Sequence, residues 1–143
     1  MNYLSDLFEV AIYSCAGIVL MMLGNFLIDL IIPCSFPEEI KKGNQAVGFV
    51  SAGTNIGVGL LLRAAIGSPA AEAVKESLAS GMLSSIIYFV AGILFFMLGY
   101  VAIRIVHKQY NLNEEIGKGN TAAGIMVAGI FIGLALTIGG VIL

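Results

Sequence analysis

Polar side chains are scarce in the apolar parts of this chain, and their spacing limits the chemistry open to it. Asn44, Ser51 and Asn55 fall on one stripe if their stretch is helical at 100° per residue. Inside a membrane such groups can bond across helices or line a route for an ion or small solute. Asn120 repeats Asn44 at a distance of 76 positions, whereas Val127 and Phe131 stand where Ser51 and Asn55 would recur. The candidate polar path is therefore Asn44, Ser51, Asn55 and Asn120. A competing reading makes the two asparagines Asn44 and Asn120 structural, tying a loop to a neighbouring helix. Asp29 and Arg104, 75 positions apart, are a candidate ion pair, with separate snorkelling to water as the alternative. Glu9 is the candidate for proton or cation coupling, against simple exposure at the interface or pairing with Arg63.

The inventory of reactive groups argues against catalysis. No nucleophile–base set, phosphate-binding loop or metal-ligand spacing is present, and His107, the single histidine, reads as an interfacial side chain. Cys15 and Cys34 are separated by about 28 Å of helix, too far for a disulfide. Lys41-Lys42 is too small a basic cluster for nucleic acid, and the net charge is −2. The expectation is a protein that is not an enzyme, with no cofactor, metal or nucleic-acid partner.

Elements that could position these groups are plain from composition. Hydrophobic residues make up 59% of the 143 and charged residues 11%, far from the soluble norm of about 25% charged. Apolar stretches run over 7–32, 44–66, 82–106 and 120–143, each long enough to cross a hydrocarbon core of about 30 Å. A soluble bundle would need a polar face on every helix, and a transmembrane barrel would need strict alternation; neither pattern occurs. The first stretch is too long for a cleavable signal core, and no Lys or Arg precedes Lys41, so it reads as a span.

The second half rewrites the first. Glu38-Glu39-Ile40-Lys41-Lys42-Gly43-Asn44 returns as Glu114-Glu115-Ile116-Gly117-Lys118-Gly119-Asn120, and 14 of the 29 residues from Glu38 to Ile66 recur 76 positions later. Upstream, a shift of 75 aligns Ala16-Gly17-Ile18 with Ala91-Gly92-Ile93 and Met22-Leu23-Gly24 with Met97-Leu98-Gly99. The expected architecture is an all-α polytopic membrane protein with four transmembrane helices from two parallel tandem hairpins. Residues 1–66 form the first repeat and 81–143 the second. Residues 67–80 connect them, with a short helix expected from Ser68-Pro69 to about Ala79 that lies on the interface or extends the third span. An even number of spans per copy makes the copies parallel. Five Lys/Arg residues (Lys41, Lys42, Arg104, Lys108, Lys118) against two (Arg63, Lys75) put the 33–43 and 107–119 loops in the cytoplasm and both chain ends outside.

Pro33 ends the first span. Ser35 with Glu38, and Asn111 with Glu114, give the pattern of a helix start, with acidic pairs favourable at its positive end. Nine of the eighteen glycines lie in the even-numbered spans. Ala46, Gly53, Gly57 and Ala64 share one face of the second span, and Ala122, Gly129, Gly133 and Gly140 match them in the fourth. A second small face, Gly48, Ala52 and Gly59, is matched by Gly124, Ala128 and Ala135. In lipid, helices associate by close backbone packing, so small faces mark contacts. Gly53, Gly57, Gly129 and Gly133 are thus the candidate packing residues. The even-numbered spans should be sandwiched centrally, with the first and third outside. Two small faces per helix exceed what one four-helix subunit consumes, which predicts a homo-oligomer.

Gly43-Asn44-Gln45-Ala46-Val47-Gly48 and Gly119-Asn120-Thr121-Ala122-Ala123-Gly124 resemble the motif of the YjfL-type family of small bacterial inner-membrane proteins. Gln45 and Val47 depart from its Asn-Thr-Ala-Ala pattern. The resemblance covers nearly the whole chain and implies two tandem two-span units in a bacterial inner membrane, with no established activity. Two functions fit: an oligomer conducting an ion or small solute, or a non-conducting scaffold. The scaffold would recruit a soluble or membrane partner through cytoplasmic Glu38, Glu39, Lys41, Glu114, Glu115 and Lys118.

Overall fold

The computed structural model describes residues 3–68 and 78–143. Four long helices carry the fold: α1 (Tyr3–Asp29), α3 (Gln45–Ile66), α4 (Leu78–Val106) and α6 (Thr121–Ile142). Two short helices, α2 (Phe36–Lys41) and α5 (Leu112–Gly117), precede α3 and α6. No strand occurs among the described residues. All four long helices are long and apolar enough to cross a membrane. A helix satisfies its own backbone, which is what lets these segments sit in hydrocarbon.

The spans are where hydropathy puts them, with shifted ends. α1 stops at Asp29, before the expected end at Ile32, because the chain turns there to present Phe36 to Asp29. α4 starts at Leu78, so it extends upstream of the expected span. Ser68, where the expected short helix opens, is not helical, and residues 69–77 of it, with Lys75, lie outside the described residues. Ser35 and Asn111 occupy the N-cap positions of α2 and α5, although neither side chain makes the cap bond. Gly43 and Gly119, at φ 80° and 83°, turn the chain from each short helix into the next span. A residue with a Cβ in that left-handed conformation would cost about 1 kcal/mol.

The core is built around α3, which touches α1, α4 and α6 and makes its most extensive contact with α6. α3 and α6 lie side by side along their whole length: Ala46 meets Gly124, Gly53 meets Ala128, Ala64 meets Gly139 and Gly67 meets Leu143. Phe96 of α4 stacks on Phe131 of α6 at 5.0 Å between centroids. Gly57 leaves space for that ring, since a Cβ there would come 2.5 Å from Phe96 Cζ. Leu61 fills the notch left by Gly92, and Gly24 receives Val58 and Ile93. The central sandwich is only half realised. α3 is packed by α1, α4 and α6 yet keeps Gly48, Ala52 and Ile56 exposed, and α6 is covered on one face, leaving Ala122, Gly129, Gly133 and Gly140 exposed.

Candidate functional site

Two groups of polar residues organise one half of the bundle. The first lies at the loop end, where α2 and α5 meet the starts of α3 and α6. Asn44 accepts from Val47 N (3.1 Å) as the cap of α3, and its amide donates to Glu39 Oε2 and to the carbonyls of Ile116 and Gly117. Asn120 caps α6 through Ala122 N and donates to Glu115. Thr121 Oγ1 donates to Gln45 Oε1 at 3.0 Å. Both asparagines are therefore engaged in capping, and Asn44 also ties its loop to α5. A crevice of about 360 Å³ lies here, lined in part by Glu39, Lys42, Asn44, Gln45 and Lys118.

Charges at this end are paired locally. Lys42 Nζ lies 2.7 Å from Glu39 Oε1, and Lys118 Nζ lies 3.4 Å from Glu114 Oε2. The hydrogen bond from Lys42, then that from Asn44, holds the Glu39 carboxyl below its ordinary range. The same bond to Glu39 raises Lys42. Burial, then the neighbouring Glu39 and Asp29 carboxylates, pushes the half-buried Cys34 thiol up. Cys34 and Cys15 are both free thiols.

Asp29 and Arg104 do not form the expected ion pair. Asp29 Oδ1 accepts from Phe36 N at 2.8 Å, so the carboxylate supplies the cap that Ser35 withholds from α2. Neither Asp29 nor Arg104 has an ionic partner among the described residues, and Glu9 and Arg63, both exposed, are not paired with each other. The described residues hold no group of three or more His, Cys, Asp or Glu side chains placed to bind a metal ion.

The second polar group lies within the spans. Asn25 of α1 donates to Asn55 Oδ1 (2.5 Å) and to Met21 O (3.2 Å), and Ser51 Oγ donates to Asn25 Oδ1 (2.7 Å). The structure thus joins Ser51 and Asn55, as their stripe suggested, through a residue that the stripe did not include. Asn25 stands alone on α1, and Tyr100 occupies its counterpart on α4, so repetition hides it. A survey of every amide inside a span would have found it. Asn55 lies about 15 Å along α3 from its start. All three side chains are only partly buried, and the Asn55 amide nitrogen has no acceptor among the described residues.

The glycine faces are used unequally. Gly53 and Gly57 lie in contact, but Gly129 and Gly133 would carry a Cβ into open space. It is the other small face of α6, with Gly124 and Ala128, that packs on Ala46 and Gly53.

Four apolar helices with the non-helical backbone confined to their ends define a multi-pass transmembrane protein. The chain belongs to the family described as Domain of Unknown Function (DUF350), whose model matches residues 2–142. It is similar to a UPF0719 transmembrane protein of Aquifex aeolicus, 26% identical over 125 residues, covering 87% of this chain and 45% of that one. It is also similar to the UPF0719 transmembrane protein YshE of Bacillus subtilis, 23% identical over 134 residues, covering 94% and 92%. The chain thus spans less than half the length of the first relative. No solved structure matches it. The family is a transmembrane one of unknown function; the YjfL-type label is not among the names matched.

Proposed function

We propose that this protein is a non-enzymatic homo-oligomer of a bacterial inner membrane that conducts a small solute or ion along the polar side of its α1–α3 seam. In this reading the two hairpins are repeat units standing the same way up, and the 33–43 and 107–119 loops face the cytoplasm. The observation that carries it is the Asn25–Ser51–Asn55 cluster, inside the spans yet incompletely covered by its own chain. Amides facing hydrocarbon are costly, so a polar cluster left open there calls for water or a second subunit beside it. The bare Gly129 and Gly133 supply a surface for that subunit.

Flux of small ions and uncharged solutes through reconstituted vesicles tests the reading. Wild type should exceed empty vesicles, and Asn25→Leu with Asn55→Leu should abolish the excess. Flux equal to that of empty vesicles, with a stably co-purifying protein held by the charged loops, would replace conduction by the scaffold reading.

A further inference from the structure

The α3–α6 contact can be made twice, once inside the chain and once between chains. Its internal form sets α3 residues Ala46, Gly53 and Ala64 against α6 residues Gly124, Ala128 and Gly139. Moved by 76 positions, the first set becomes Ala122, Gly129 and Gly140, and the second becomes Gly48, Ala52 and Arg63. All six of these counterparts are exposed, and Gly48, Gly129 and Gly140 have nothing within 4 Å of an added Cβ. The molecule therefore carries both halves of an interface it already forms, each half unfilled and on opposite sides.

The loop end shows the same asymmetry independently of the glycines. Ile116 is 0% exposed, under the start of α3, where its carbonyl accepts from Asn44. Its counterpart Ile40 is 51% exposed, and the Asn120 amide, counterpart of Asn44, reaches only its own Glu115 among the described residues. An apolar side chain and a capping amide are thus both left without the neighbours that their counterparts have.

We propose that a second copy of this chain docks head to tail, its outer α3 face on the outer α6 face of the first, in the register of the internal contact. Gly129 then meets the second copy's Ala52, Gly140 meets its Arg63, and its Ile40 is covered by the start of α6. Such an interface is heterologous, so repetition closes a ring or grows a filament. The register also fixes where the polar cluster goes. Where the internal seam has Tyr100, Val127 and Phe131, the seam between copies has Asn25, Ser51 and Asn55. The boundary between subunits is the polar one. The inference rests on the oligomer reading but not on conduction.

Disulfide trapping in membranes tests it, in a Cys15→Ser, Cys34→Ser background. The internal counterparts Ala64 and Gly139 would bring Cβ atoms to 3.4 Å, close to the disulfide range of about 3.5–4.5 Å. Gly140→Cys and Arg63→Cys chains carrying different tags should cross-link on oxidation when co-expressed, and neither should cross-link with itself. The double variant should give a ladder of multimers. A Gly140→Cys chain that pairs with itself as readily would show a two-fold interface and overturn the head-to-tail register. Oligomers by native mass spectrometry without mixed cross-links would overturn the register alone. A monomer would overturn the oligomer reading as well. Gly129→Leu supplies a second readout: loss of the oligomer with unchanged helicity supports the interface, and an unchanged oligomer overturns it.

Discussion

Gly53 of α3 lies so close to α6 that a Cβ on it would come 2.5 Å from Ala128 Cα. The neighbour at that point is backbone, which cannot swing aside as a side-chain end can. Glycine is required there by approach, not by conformation.

Gly53→Leu should therefore destabilise the folded chain, by the roughly 1–3 kcal/mol typical of an overpacked core. Gly129→Leu, made at a position open to its surroundings, should leave the stability of the single subunit unchanged. Denaturant unfolding of both variants in detergent gives the comparison. Equal destabilisation would contradict the assignment of α6 faces.

Asn25→Leu should cost about 1 kcal/mol, since it leaves the Ser51 hydroxyl and the Asn55 carbonyl without their partner. Adding Asn55→Leu should cost less than the same change in wild type. The double-mutant cycle in unfolding free energy reads that coupling, and additive losses would dissolve the cluster.

Asp29→Ala should cost about 1 kcal/mol through the lost cap of α2, and Asp29→Asn much less, because its carbonyl can still accept from Phe36 N. Arg104→Ala should add its own effect independently of either. A coupling energy well above zero between Asp29 and Arg104 in the cycle would restore the ion pair.

Glu39 should make stability fall in acid. Its folded carboxyl is held below its ordinary range by Lys42 and Asn44, so the contribution is present above the unfolded value and lost as pH falls through the folded one. Unfolding from neutral to strongly acidic pH should show a loss that Glu39→Gln removes. An identical acid profile in the variant would mean that Glu39 binds protons equally in both states.

Cys34 should react slowly with a membrane-impermeant maleimide at neutral pH and faster as pH rises, because burial and the nearby Glu39 and Asp29 keep it protonated. Labelling should occur from the cytoplasmic side alone, while Cys15, within α1, stays unlabelled. Labelling from the opposite face would invert the proposed topology.

Much of the fold was legible in the sequence because its strongest signal is solvent-driven. Four long apolar runs have one cheap arrangement in lipid, and Ser35 and Asn111 sit at helix starts as their x-x-Glu spacing says. What was not legible is which small face each helix uses. Gly129 and Gly124 both lack a side chain and lie on different sides of α6, so composition cannot choose; in the fold Phe131 stacks on Phe96 beside Gly57, and the face with Gly124 and Ala128 is the one turned to α3. The role of Asp29 was hidden for a related reason. Its position matches Arg104, but the backbone N–H of Phe36 reaches it first, and that proximity exists only after the chain turns at Pro33.

The Asn25–Ser51–Asn55 cluster joins α1 to α3, the least apolar of the four spans. The densest partner of α3, helix α6, follows it by more than fifty residues and is still unmade when α3 leaves the translocon. During that interval α1 is the helix already in the membrane that can take up the amide and hydroxyl of α3. The cluster thus lets α1 and α3 wait in lipid with their amides and hydroxyl bonded to one another, the Asn55 N–H aside, while the glycine face of α3 stays bare for the helix to come.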